Sequence, residues 1–204
     1  MQRSFCILMA ASLLGCSRAP KHPDVVVTVP AWQSLVCVVA GPDANVHAAT
    51  DASLPPARLV FRNGLGLTES TPTLAKDGKV ITLGDRVPTL AKADGTPDPY
   101  VWTSPQNARL AVQVVGEELA RADAARAKEY RTRAKDLDAR LARLDAELEA
   151  APKINGPQLP AEARYFAERF GYAVAPNRSL GAAVLGTSAC EDGYVALMRG
   201  LMPN

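Results

Sequence analysis

Two kinds of hydrophobic pattern divide this chain. Behind Ser104-Pro105, residues Ala108, Ala111, Val112, Val115 and Leu119 recur at three- and four-residue intervals, the spacing of one buried helical face. Ser104 supplies an N-cap, and Pro105 takes the first helical position, where its missing N–H costs nothing, so a helix is predicted to start at Pro105. Between Ala124 and Ala150, Tyr130, Ala134, Leu137, Leu141, Leu144 and Leu148 form a second stripe with Arg, Asp and Glu on the other faces, which predicts one long helix. A coiled coil is the rival reading, but the leucines cover only about two heptads where three or four are needed. Ala151-Pro152 and Asn155-Gly156-Pro157 end the helix.

The other pattern is short and β-branched. Val25 to Val29, ended by Pro30, reads as a buried strand of a parallel sheet. Ala31 to Ala40 follows as a helix with Gly41-Pro42 as its stop, so strand and helix make a first βα unit. Val46 to Ala49, Ala57 to Phe61 and Lys79 to Gly84 are the next strands, which makes the fold class α/β. Sixteen prolines suit helices with rigid connections better than a long β-sandwich.

The N-terminus has a different character. Arg3 precedes the apolar stretch Phe5 to Leu14, too short to span a bilayer, and Leu13-Leu14-Gly15-Cys16 resembles the bacterial lipobox. Residues 1–16 therefore read as a lipoprotein signal with Cys16 as the lipidated residue, and 17–24 as a polar tether. A diacylated cysteine gives a stable two-chain membrane anchor. An ordinary secretory signal, with Cys16 incidental, is the alternative. Cys37 and Cys190 are the remaining thiols, open both to pairing in an oxidising envelope and to burial as an apolar thiol.

Charge and chemistry-bearing residues narrow the function. A net charge of +2 and 5% aromatic content support neither a nucleic-acid surface nor a base-stacking platform. His22 and His47 are the only histidines, and no nucleophile elbow, His-Glu-x-x-His or Cys-x-x-Cys is present, so the chain reads as a non-enzyme. Glu117-Glu118 and Glu191-Asp192 read as solvated surface charges. The turn Asn63-Gly64-Leu65-Gly66-Leu67 lacks the Lys-Ser/Thr of a P-loop and the spacing of a dinucleotide loop.

Four words of sequence, in order, carry a resemblance. Val39-Ala40-Gly41, then Asn63-Gly64-Leu65-Gly66-Leu67-Thr68-Glu69, then Asp98-Pro99-Tyr100-Val101-Trp102-Thr103-Ser104-Pro105-Gln106-Asn107-Ala108, and finally Tyr165-Phe166-Ala167-Glu168-Arg169-Phe170-Gly171 are similar to hallmarks of the zinc- and manganese-binding, adhesin-like proteins of ABC importers, the zinc-uptake component A family. The resemblance implies an N-terminal lobe over 25–122 with a small parallel sheet flanked by helices, a long spanning helix over 123–151, and a reduced second lobe over 152–204. It also places a metal-binding histidine where this chain has Tyr100, and another at Pro160. The segment carrying the first histidine is missing between His47 and Asn63, where only Asp51 to Pro56 remains, and His47 falls on the strand before it.

Tyr100 and His47 are thus the candidate metal-contacting residues. A phenol ionises near pH 10, so a bound cation would itself have to force its deprotonation. The resemblance implies an extracytoplasmic solute-binding lipoprotein of a metal ABC transporter, with zinc or manganese as the transported ligand. It implies an inner-membrane ABC permease as partner, a location in the periplasm or at the cell surface, and a metal site degenerate in its ligands. The alternative is a structural or adhesion lipoprotein that keeps the scaffold without transport.

Overall fold

The computed structural model describes residues 22–50, 54–67, 69, 72–152, 158–175, 178, 180 and 193–202. Cys16, Cys190 and Glu191-Asp192 lie outside them. A first strand, β1 (Asp24–Val27), leads through Thr28 and Val29 into α1 (Pro30–Ala40). The strand thus ends two residues sooner than expected, and Pro30 opens the helix rather than closing the strand, since a fixed φ and a missing N–H fit a first helical turn. Gly41 ends α1 at φ 92°, where its N–H meets the Cys37 carbonyl at 2.9 Å. A tertiary reason adds to the conformational one: a Cβ there would stand 2.9 Å from the Arg133 guanidinium carbon. Arg133 donates to the free carbonyls of Val39 (2.8 Å) and Ala40 (3.0 Å) and so satisfies the C-terminus of α1.

Three more parallel strands, β2 (Asn45–Ala48), β3 (Ala57–Arg62) and β4 (Leu74–Thr82), complete a sheet of order β2-β1-β3-β4. Its register puts Val27, Phe61 and Ile81 in one row, on the side where α1 and the long helices pack, and His47, Val26, Val60 and Val80 in a row on the opposite side. Ala49 and Leu54, from the connection between β2 and β3, pack on that second side. Strand β4 runs nine residues and starts before the predicted Lys79, because its first half contains Lys76-Asp77-Gly78, a string without strand propensity. The register with β3 shifts between Ala57 and Leu59, and a Cβ on Gly78 would stand 2.6 Å from the Ala57 carbonyl oxygen, so the irregularity has a glycine where the two backbones come close.

Helix α2 (Pro105–Ala122) descends from the carboxyl ends of the strands, with Ser104 Oγ accepting the Asn107 N–H at 3.2 Å as its cap. The chain turns through a 3₁₀ segment at Ala124–Arg126 and returns as α3 (Ala127–Ala150), so the long helix starts three residues later than its stripe suggests. Asp123 sets that corner by taking the Arg126 guanidinium at 2.6 Å. The two helices press closely at Gly116, where an added Cβ would come within 2.6 Å of Ala134 Cβ, and are paired across the seam by Arg109–Asp138 (2.7 Å) and Arg131–Glu117 (2.8 Å). Every member of the Tyr130 to Leu148 stripe is buried.

The far half of α3 carries the reduced second lobe. It contains a two-stranded parallel sheet, β5 (Leu159–Pro160) with β6 (Val174–Ala175), and the helices α4 (Arg164–Phe170) and α5 (Gly193–Gly200). Arg169 of α4 bridges to Asp145 (3.1 Å) and Glu149 (2.7 Å) on α3. Phe166, Phe170, Tyr194 and Met198 join the same apolar core as Trp32, Phe61 and Leu141, so the two lobes share one interior. Cys37 is buried and disulfide-bonded, which decides between the two readings of that thiol; its partner lies outside the described residues.

Candidate functional site

In an open parallel sheet, ligands collect at the carboxyl ends of the strands, where loops rather than ladders supply the polar groups. Here those ends are built from Thr28 after β1, Arg62 at the end of β3 with Asn63-Gly64 after it, and the Asp98–Ala108 segment that leads into α2. Gly64, Leu65 and Gly66 all take positive φ (75°, 55° and 81°), and a Cβ on Gly64 would lie 2.4 Å from Thr82 Cγ2. A chain that needs three such residues in succession is tightly specified. Glu69 holds the turn closed. Its carboxylate, almost fully buried, accepts the N–H groups of Asn63 (2.7 Å) and Gly64 (2.6 Å) and the Thr28 hydroxyl, and Arg62 stands 3.8 Å away.

Asn63 joins this turn to the rest of the cleft. Its Oδ1 accepts from Trp32 Nε1 at 2.9 Å, and its Nδ2 donates to the carbonyls of Pro99 (2.9 Å) and Gly64 (3.1 Å). Pro99 is thereby fixed against the first lobe. Asp98, also buried, turns its carboxylate back onto the Tyr100 N–H at 3.0 Å. From the second lobe, Tyr165 Oη donates to the Asp98 carbonyl at 2.7 Å and accepts the Leu90 N–H at 2.9 Å, while Tyr194 Oη donates to the Trp102 carbonyl at 2.8 Å. Tyr194 N–H also meets Ser34 Oγ of α1 at 3.0 Å. The segment around Tyr100 is therefore clasped by both lobes.

Tyr100 itself is half-buried, with its ring edge-on to Trp102 at 5.4 Å between centroids. Burial raises its phenol pKa, and the carboxylates of Glu162 and Asp98 raise it further, so the neutral phenol is the favoured form. That is the opposite of what a phenolate ligand requires. Pro160 sits on β5 at the entry to the 3₁₀ turn Ala161–Ala163 and offers no side-chain donor atom. His47 lies on edge strand β2 in register with Val26, in the row on the sheet face away from the helices, whereas Tyr100 packs against the core on the helical side. The structure does not bring His47 and Tyr100 to one place. Among the described residues no three His, Cys, Asp or Glu side chains converge as a metal site.

Residues that shape this cleft most directly, Asn63, Glu69, Tyr165 and Tyr194, carry no chemical signature in the sequence. Asn63, Glu69 and Tyr165 stand inside recognisable words, but the partners that tie them across the cleft, Trp32 and Pro99 for Asn63, Thr28 for Glu69, and Leu90 and Asp98 for Tyr165, are dozens of residues away. No helix among the described residues is long and apolar enough to cross a membrane.

Comparison with known proteins agrees with this architecture. A search of curated proteins finds no match. Among solved structures, ZnuA superposes with a TM-score of 0.64 at 18% identity, over 78% of this chain and 72% of that one. A manganese-bound periplasmic metal-binding protein from Candidatus Liberibacter asiaticus gives 0.59 at 20% identity, over 78% and 71% of the two chains. FpvC from Pseudomonas aeruginosa in complex with Mn2+ gives 0.60 at 22%, over 76% and 67%. These likenesses establish the fold. A family model for the zinc-uptake complex component A, periplasmic, matches residues 25–184, nearly the whole of the strand, cleft and helix framework just described, and the chain belongs to that family.

Proposed function

We propose that the mature chain is an extracytoplasmic solute-binding lipoprotein of a zinc- or manganese-type ABC importer whose cleft has lost the imidazole ligands of its family. Cys16 would carry the lipid, an inner-membrane ABC permease would be the partner, and the protein would stand in the periplasm or at the cell surface. One observation carries the reading. The segment Asp98–Ala108 is held in a ligand-presenting position by Asn63, Tyr165 and Tyr194, yet the side chain it presents is a phenol whose environment favours the protonated form. Zinc sites want three or four converging N, O or S donors, with imidazole favoured, and the loss of each ligand also disorganises the others.

Calorimetric titration of the purified mature protein with zinc and with manganese at neutral pH tests this. Binding far weaker than a three-histidine site allows is expected, unchanged in Tyr100→Phe and His47→Ala. Tight binding that collapses in either variant would overturn the degenerate-site reading. The clasping of the cleft by both lobes favours a second reading, a structural or adhesion lipoprotein that keeps the scaffold without transport. Deleting the gene and measuring zinc and manganese uptake separates them: unchanged uptake favours the second.

A further inference from the structure

We infer that a second ligand site, separate from the Tyr100 side chain, lies where the two lobes meet beside the start of α2, and that it takes an uncharged amide carrying an apolar group, the chemistry of a leucine-like unit of a short peptide. The inference goes beyond metal binding and transport and depends on neither. The site is a cavity of about 440 Å³. Small-ligand pockets span roughly 300–1,000 Å³ and concentrate at junctions between folding units. The first lobe lines this one with Pro88 to Leu90, the first two turns of α2 with Asn107 and Leu110, and α4 with Tyr165, Glu168 and Arg169.

Two polar groups of the lining are fixed in place and left unmatched. Asn107, only 4% exposed, gives its Nδ2 hydrogens to the carbonyls of Pro88 (3.0 Å) and Val101 (3.2 Å). Its orientation is thereby locked, and its Oδ1, which accepts nothing from the described residues, is what it has left to offer. Arg169 is held through its terminal nitrogens by Asp145 and Glu149, while its buried Nε–H meets no acceptor among the described residues. One acceptor and one donor without partners call for a ligand with one N–H and one C=O, which is an amide. The remaining surface is apolar. Leu110 is 41% exposed, one of three large apolar side chains left so among the described residues. Tyr165 spends its hydroxyl on the Asp98 carbonyl and the Leu90 N–H, so it offers the cavity its ring alone. Charge argues against an anion. Arg169 is the one cation among the described lining residues and already faces two carboxylates, whereas exposed Glu168 has no ion-pair partner among the described residues. A carboxylate ligand would meet Glu168 with nothing to balance the repulsion.

The test titrates the purified protein with N-acetyl-L-leucinamide and follows amide, guanidinium and methyl signals by NMR, with N-acetyl-L-leucine and N-acetylglycinamide as comparators. Saturable shifts at the Asn107 side-chain amide, the Arg169 Nε–H and the Leu110 methyls are expected at about millimolar concentration, in keeping with so small a probe. The carboxylate probe should bind about tenfold more weakly, and so should the glycine probe, which lacks the apolar group. Leu110→Ser alters an exposed position and leaves the core intact, so it should fold as the parent does and weaken the leucinamide probe several-fold. Glu168→Lys should bring the carboxylate probe up to the amide. An absence of saturable shifts at these groups, equal binding of the three probes, or variants that bind all of them as the parent does would each overturn the proposal. No metal enters the titration, so its outcome is independent of whether the Tyr100 cleft binds zinc or manganese.

Discussion

Replacing Asn63 with alanine should damage the fold more than its size suggests, and the structure gives the size of the effect. The side chain is fully buried and makes three hydrogen bonds, one accepted from the Trp32 indole and two donated to the Pro99 and Gly64 carbonyls. A buried polar group left without its partner costs about 1–3 kcal/mol. The indole N–H bears that cost in full, and the two carbonyls together add a similar amount, so a loss of about 3 kcal/mol is expected. That is a large share of the roughly 5–15 kcal/mol by which a domain is stable. In urea, with a slope of about 2 kcal/mol per molar, the midpoint should fall by about 1.5 M with the slope unchanged. Asn63→Asp should cost at least as much, because a carboxylate keeps the indole's acceptor but turns lone pairs toward two carbonyl oxygens. A loss under about 1 kcal/mol for the alanine variant, or an aspartate variant as stable as the parent, would refute Asn63 as the tie between the glycine turn and the Tyr100 segment.

Two further outcomes follow from the core. Burial and the Asp123 carboxylate raise the Tyr130 phenol to about 12, so the unfolded chain releases its proton first. The associated stability is fully present below about pH 10 and is lost as pH rises toward 12. Urea midpoints should fall across that window, and less steeply in Tyr130→Phe; parallel slopes in the two proteins would contradict this. Cys37 is disulfide-bonded, and under the proposed lipoprotein reading, in which Cys6 and Cys16 belong to the signal and anchor, its expected partner is Cys190. Peptide mapping without reductant should recover the Cys37–Cys190 pair, and Cys37→Ala should lose about 4–5 kcal/mol, the value for closing a loop of more than a hundred residues.

Much of the architecture was legible because periodicity reports burial. The helix start at Ser104-Pro105 and the two apolar stripes needed only local spacing, and the structure buries both stripes, Ala108 to Leu119 and Tyr130 to Leu148. Short strands such as β1 and β3 were recognisable from β-branched runs, and the words around Asn63 and Asp98 carried the family. Element ends were less legible, since Pro30 can close a strand or open a helix, and only the Gln33 N–H bonding to the Val29 carbonyl at 3.0 Å, the first turn of α1, decides it. The first half of β4 was hidden for the same reason, because Lys76-Asp77-Gly78 is a strand only through its pairing with β3.

The cleft depended on tertiary structure throughout. Tyr100 was identifiable as the residue at a histidine position, but its protonation preference comes first from burial that no local pattern encodes and then from Glu162, more than sixty positions later. His47 looked near the missing ligand segment in sequence, yet alternation along β2 turns it with Val26 to the face away from the helices. The hydrogen bonds of Tyr165 to Asp98 and Tyr194 to Trp102 cross 67 and 92 positions of chain. Spacing within one element determines which face is apolar, and therefore the helices and strands. Which polar atoms meet across elements depends on how those faces pack, and that is settled only when the lobes close on one core.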